Sequence, residues 1–195
     1  MGCSNQVEFL RRHAYLVKGP VLEVGSKRYG KSGYDLRQVL PGVEYVGVDL
    51  EAGPGVDVIA DLSAPITETR AVLGWAGFNT AICFSTLEHC AKPWVVAENI
   101  QALLYKGGLL FVSVPFCWKV HEYPKDYWRM TPDGIRVLFP ELDFEQHPGT
   151  FCTELDGDDM GLNWFGAGHL KIHPMGSKHN YTIPPTLINA IGVKR

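Results

Sequence analysis

The sequence predicts an α/β fold in which a mostly parallel sheet carries helices on both faces. Three observations predict it. Strands and helical segments alternate over the first 115 residues, the pattern of repeated β-α-β units. The strands are apolar along their whole length, as in sheets covered on both sides. Their carboxyl ends collect Gly25, Asp49, Asp61, Ser85 and Pro115, and an open α/β sheet binds its ligand beyond those ends.

Each element follows in order. Residues 5–18 predict an amphipathic helix with Val7, Leu10, Ala14 and Leu16 near one face, capped by Asn5 and ended by Gly19-Pro20. The Arg11-Arg12-His13 run is expected to be a solvated face. Residues 20–25 form the first strand, and a short helix follows at 34–40, closed by Pro41-Gly42. Strands are expected at 43–50 and 56–61, ending in Asp49 and Asp61, with a helix at 66–76. A fourth strand covers 79–85, and a helix at 93–105 stops at Lys106-Gly107-Gly108. The fifth strand is 109–115. Thr131-Pro132 supplies the cap and first residue of a helix over 131–139. Further strands are expected at 144–152 and 168–174.

The 195 residues suit one domain with a single core. Within it, 1–19 is an N-terminal helix, 116–139 a segment capping the substrate side, and 140–195 the C-terminal strands and loops. A net charge of −3 provides no basic footprint for nucleic acid or an anionic membrane. No apolar run approaches the roughly 20 residues that span a bilayer. The five cysteines are scattered singly, which points to a reducing, cytoplasmic setting rather than to disulfides or structural zinc. The histidines and aspartates of the tail show no ligand spacing, so no metal site is predicted.

The stretch VLEVGSKRYGKS, residues 21–32, fits two nucleotide-binding patterns. Gly25 through Ser32 matches the phosphate loop G-x-x-x-x-G-K-[ST]. That loop needs a helix at once after Ser32, but Gly33 is a poor opening residue. The other reading rests on Gly25, which admits close backbone approach, and on Asp49, 24 residues later. A carboxylate there accepts two hydrogen bonds from a ribose diol.

The pieces VLEVGS, YVGVDLEAGPGVDVIADL, FSTLEH, LLYKGGLLFVSVPF and HEYPKDYWRMTPDGIRVLF resemble the class I S-adenosylmethionine-dependent methyltransferases, in particular the methyltransferase type 11-like subgroup. The resemblance runs from about residue 21 to 139. It implies a Rossmann-like, seven-stranded sheet whose last strand, in the tail, is antiparallel. It also implies S-adenosyl-L-methionine as cofactor and S-adenosylhomocysteine as product. Glu23 and Gly25 would flank the methionine moiety, Asp49 would bind the ribose, and Asp61 and Leu62 would sit by the adenine, with Ser26 and Leu50 also among the cofactor-binding residues. Ser85 and Thr86 would line the methionine side. Lys27 and Tyr29 stand where the family loop E-x-G-x-G-x-G has its second and third glycines.

Beyond the fifth strand, His121 or Asp126 could act as a base, with Tyr123 and Tyr127 as an aromatic wall and Arg129 as a cation for substrate. Trp128 either belongs to that aromatic wall or packs in the core, with the core placement favoured, and Arg129 pairs with Asp126 or Asp133. His89 either faces the substrate or caps the following helix. The expected function is methyl transfer to a small-molecule or glycan-type acceptor. Two alternatives stay open: a phosphate-loop ATP- or GTP-binding protein using Lys31 and Ser32, and a non-catalytic binding or assembly module of the same fold.

Overall fold

The computed structural model describes residues 4–29, 34–121, 125–147, 152–154, 162–164 and 187–195. Helix α1 is Ser4–His13, followed by a 3-10 turn at Ala14–Leu16. Strand β1 (Val21–Val24) leads through a loop to a 3-10 turn at Leu36–Val39, capped by the Asp35 carboxylate. Then come β2 (Tyr45–Asp49), β3 (Val58–Ile59), α2 (Ile66–Leu73) and β4 (Phe78–Phe84). A 3-10 turn at Leu87–His89 precedes α3 (Pro93–Leu103) and β5 (Leu104–Pro115). The chain continues with α4 (Pro132–Leu138), β6 (Leu142–Asp143), β7 (Cys152–Glu154), β8 (Leu162–Trp164) and β9 (Leu187–Lys194).

The sheet order is β3-β2-β1-β4-β5-β9-β7-β8, with β6 also paired to β9. Strands β1 to β5 pair in parallel, and β9 runs antiparallel against the full length of β5. This is the expected Rossmann-like α/β sheet with an antiparallel last strand. Strands β6 and β7 pair with opposite ends of β9 and share one position in the sheet, and β8 extends it beyond the seven strands expected. The order reverses between β1 and β4, which opens a crevice beyond their carboxyl ends.

Two apolar layers cover the sheet. On one face Leu22, Val24, Val46 and Val48 pack with Val96, Ile100 and Leu103 of α3. On the other, Val21, Ile82 and Phe111 pack with Phe9 and Leu10 of α1. Each fully buried Leu, Ile or Phe contributes about 1.5–3 kcal/mol from removal of apolar area from water. The buried positions of α3 recur three or four residues apart, which fixes which of its sides meets the sheet.

Several boundaries differ from the sequence reading. Helix α1 stops at His13, and its buried side includes Phe9 and His13. Arg11 and Arg12 are exposed and pair with Glu8, whereas the His13 ring bonds to the Phe9 carbonyl. Asn5 is buried as well, and its side-chain oxygen accepts from the Asn189 amide. Helix α3 ends at Leu103, because Leu104 turns extended to pair with Phe78. The pairing resumes at Thr80 with Leu109, so Tyr105 to Gly108 form an irregularity inside β5, not a helix stop. Strand β3 is two residues long, and Asp61 lies in the turn after it. The strand expected at 168–174 lies outside the described residues. No helix among the described residues is long and apolar enough to cross a membrane.

Candidate functional site

A cavity of about 700 Å³ opens beyond the carboxyl ends of β1, β2 and β4. That is within the size range of small-molecule and cofactor sites. Of the cofactor residues read from sequence, Gly25, Asp49, Leu50, Asp61, Leu62, Ser85 and Thr86 line it, and so do His89 and His121.

Gly25 sits at φ +78°, the left-handed region where glycine carries no steric penalty. A Cβ there would stand 2.1 Å from Thr86 Oγ1. The Thr86 hydroxyl is itself fixed, 3.0 Å from the carbonyls of Val24 and Phe84. The backbone amides of Gly25 and Ser26 both donate to Val48 O, which folds the loop back over the end of β2. Asp49 then closes the loop: its Oδ2 accepts from the Lys27 amide at 3.0 Å and its Oδ1 from the Glu51 amide at 3.3 Å. Each carboxylate oxygen keeps further acceptor capacity toward the cavity.

Asp61 uses Oδ1 to hold Ser63, accepting from its amide and its hydroxyl, both at 2.7 Å. The turn is anchored from below by the buried Asn99, whose amide donates to Leu62 O and Ala64 O. Ser85 is the one non-glycine with positive φ among the described residues, at 46°. Gln6 of α1 holds it there, donating to Ser85 Oγ at 2.7 Å and to Ser113 Oγ at 2.9 Å. Backbone strain of this kind concentrates at ligand sites.

Two expected cofactor residues point elsewhere. Strand alternation sends Glu23 to the α1 face, opposite Leu22 and Val24. There its carboxylate accepts from the Tyr45 hydroxyl at 2.8 Å, and burial pushes its pKa up to about 7. Ser26 is buried, and its hydroxyl faces the backbone of Gly47, not the cavity. Lys27 and Tyr29, noted in the sequence only as replacements of loop glycines, also line the cavity, and so do Ser63, Cys90 and Lys92, which were not read from sequence. Lys27 pairs with Glu51 at 2.6 Å, and its ammonium lies 5.2 Å from the Tyr29 ring centre. Both side chains thus stand at the cavity wall where the resembling family has glycine. Gly30, Lys31 and Ser32 lie outside the described residues. Past them, the next described helical element is the four-residue 3-10 turn at Leu36–Val39.

The segment after β5 is stitched to the 3-10 turn after β4. Tyr127 N donates to Glu88 O, Trp128 Nε1 to Cys90 O, and Met130 N to Pro115 O. Trp128 is half-exposed and meets Trp94 edge-on, so the core placement expected for it does not hold. Tyr127 is exposed, and Tyr123 lies outside the described residues. Arg129 forms the expected pair with Asp126, bidentate at 2.6 and 2.7 Å. This pairing holds the Asp126 carboxyl well below the usual range. Asp126 also accepts from the His121 amide at 2.9 Å, and it does not line the cavity. A carboxylate so stabilised is a weak base, so its geometry suits orienting His121.

His89 and His121 meet edge-on with ring centres 4.9 Å apart. His89 Nδ1 lies 2.6 Å from the Lys125 carbonyl, and burial lowers the ring's pKa. Glu88 beside it is 1% exposed, and burial pushes its carboxyl up to about 7.

No protein-family model and no curated protein matches the sequence. Solved structures do match in shape. A methyltransferase dependent on S-adenosylmethionine from Anabaena variabilis aligns over 97% of this chain and 83% of its own, with TM-score 0.60 and 13% identity. One from Archaeoglobus fulgidus aligns over 98% and 95%, with TM-score 0.60 and 14% identity. The 1,6-didemethyltoxoflavin-N1-methyltransferase of Burkholderia thailandensis, solved with S-adenosylhomocysteine, aligns over 98% and 77%, with TM-score 0.57 and 14% identity. The chain therefore has the fold of the S-adenosylmethionine-dependent methyltransferases.

Proposed function

We propose that the protein is an S-adenosyl-L-methionine-dependent methyltransferase acting on a small-molecule or glycan-type acceptor. One observation carries the reading. On this fold, Gly25, Asp49 and Asp61 converge on one cavity at the switch point of the sheet. In the proposed complex Asp49 accepts the ribose hydroxyls, which suits a carboxylate with spare lone pairs. Leu50 and Leu62 flank the adenine, and the free oxygen of Asp61 accepts from its amino group. Gly25, Ser85 and Thr86 bound the methionine end.

The chemistry is an in-line displacement at the sulfonium methyl. The acceptor atom bonds to the methyl carbon, the carbon–sulfur bond breaks, and its electron pair stays on sulfur. The protein contributes chiefly proximity and orientation. His121 or His89, both at the cavity wall, takes the acceptor proton where the acceptor is a hydroxyl or amine. The segment from Lys125 to Met130 closes the acceptor side. The phosphate-loop alternative wants a long helix whose N-terminus faces the phosphates, and a 3-10 turn of four residues supplies little of that dipole.

Calorimetry with S-adenosylhomocysteine, and separately with ATP and magnesium, tests the reading. Homocysteine-nucleoside binding that falls at least about tenfold, roughly 1.4 kcal/mol, in Asp49→Ala supports it. Binding of ATP lost in Lys31→Ala overturns it. Binding of neither favours the assembly module, for which the Lys27 and Tyr29 side chains at the cavity wall are the motivating observation.

A further inference from the structure

We propose that Glu88, His89 and His121 bind a divalent transition-metal ion, zinc by preference, at the wall of the cavity. A carboxylate oxygen of Glu88 and one ring nitrogen from each histidine lie within 4.8 Å of one another. Ligands around zinc at about 2.1 Å stand roughly 3.4 Å apart in a tetrahedron. Binding the ion requires the three atoms to close from within 4.8 Å to that spacing.

Independent features point the same way. Glu88 is 1% exposed, and its Oε2 has no hydrogen-bond partner among the described residues. Leaving a buried carboxylate oxygen unpaired is costly unless a proton or a cation compensates it. Its other oxygen, Oε1, is 3.9 Å from His89 Nε2. The Lys125 carbonyl, 2.6 Å from His89 Nδ1, can only accept a hydrogen bond. Nδ1 therefore carries the proton, and Nε2 keeps its lone pair toward Glu88. Metal-bound histidines commonly have such a carbonyl or carboxylate on the second nitrogen. At His121 a carboxylate stands near the ring, with Asp126 Oδ2 3.1 Å from Nδ1, although Nδ1 makes no hydrogen bond among the described residues. Arg129 in turn fixes Asp126 from the far side.

Two imidazoles and one carboxylate form a donor set typical of catalytic zinc, which leaves a coordination position open. Oxygen-preferring magnesium and calcium suit imidazole poorly. His89 and His121 line the cavity, so the open position faces it. On the methyltransferase reading, that position takes an acceptor hydroxyl and lowers its pKa. With both histidines held as ligands neither acts as the base, the metal takes over that role, and the hydroxyl proton leaves to water. The oxygen then bonds to the methyl carbon while the carbon–sulfur pair stays on sulfur. The acceptor class is then an alcohol or phenol. Glu88 and His89 are adjacent and His121 lies 32 residues later, a spacing that matches no metal motif.

The test is calorimetric titration of the chelator-treated full chain with zinc chloride, with Co²⁺ substitution followed by visible absorption. The expected result is one ion per chain, weakened at least about a hundredfold in His121→Ala and in His89→Ala. Asp126→Asn, which keeps all three ligands, is expected to weaken binding about tenfold. That variant preserves the test if the alanine variants misfold, as judged by circular dichroism. No stoichiometric zinc binding, or binding unchanged in all three variants, overturns the site. S-adenosylhomocysteine titrated in parallel separates the two claims. Nucleoside binding without zinc binding removes only the metal site, and zinc binding without nucleoside binding removes only the cofactor reading.

Discussion

Single residues set the local constraints of the cavity, and Gly25 is the most exacting. Alanine there meets Thr86 Oγ1 at 2.1 Å and must hold φ near +78°. Gly25→Ala is expected to destabilise the chain by about 1–3 kcal/mol, and to abolish cofactor binding, because the loop moves. Thermal melts with and without S-adenosylhomocysteine check both. Glu23 gives a pH signature. Its carboxyl titrates near 4.5 when exposed and at about 7 in the fold, because burial disfavours the charge. Between those values the folded chain holds more protons than the unfolded one. Stability from this group is present below pH 4.5, falls as pH rises, and is gone above 7, a loss of at most about 3 kcal/mol. Urea unfolding at pH 5 and pH 8 is expected to show a smaller loss in Glu23→Gln than in the native chain, the remainder coming from the buried Glu88 carboxyl, which is also pushed up to about 7; equal losses would sink the assignment. Gly25, Asp49 and Asp61 were legible as site candidates because each residue type has a distinct job at a strand's end. Glu23 was not, since the face its side chain takes depends on which layer covers each side of the strand. Ser26 likewise follows a backbone turn that a motif does not encode.

At the scale of elements, α1 does more than cover the sheet. Phe9 is fully buried and packs edge-on against Phe111, ring centres 6.0 Å apart. Phe9→Ala is expected to cost about 3–5 kcal/mol in denaturant unfolding. Gln6 ties the same helix to Ser85 at the cavity and to Ser113 of β5. Gln6→Ala is expected to lower stability by about 1–3 kcal/mol, since it strands the buried Ser113 hydroxyl and the half-buried Ser85 hydroxyl. It should also weaken nucleoside binding, because Ser85 loses its tether at a strained φ. A variant that loses stability but keeps affinity would separate α1 from the site. Helix positions were legible from periodicity, but α1 came out too long because its last residues wind into a 3-10 turn. Strand β9 was not located within the tail: LINAIGVK is an apolar run without alternation, and only its distant partner β5 makes it a central antiparallel strand. The Lys106-Gly107-Gly108 run looked like a helix stop. It is an irregularity in β5, set by pairing with β4.

For the whole molecule, the order β3-β2-β1-β4-β5 with β9 antiparallel beyond it creates one crevice, and the site residues reach it from separate loops. The fold class was legible because β-α alternation is a local pattern repeated along the chain. The wall of the cavity was less so: Lys27, Tyr29, Cys90 and Lys92 reach it through loop paths that spacing does not specify. The histidine-rich rim is likewise a product of packing, as Tyr127 and Lys125 dock on the turn holding Glu88 and His89. All of these features meet at the proposed nucleoside site, and its central claim is that Asp49 holds the ribose. The direct measurement is a crystal structure of the chain grown with S-adenosylhomocysteine. Both ribose hydroxyls are expected within about 2.5–3.0 Å of the Asp49 carboxylate, with the adenine beside Leu50 and Leu62. A nucleoside bound away from Asp49, or a cavity that stays empty at saturating ligand, would contradict it.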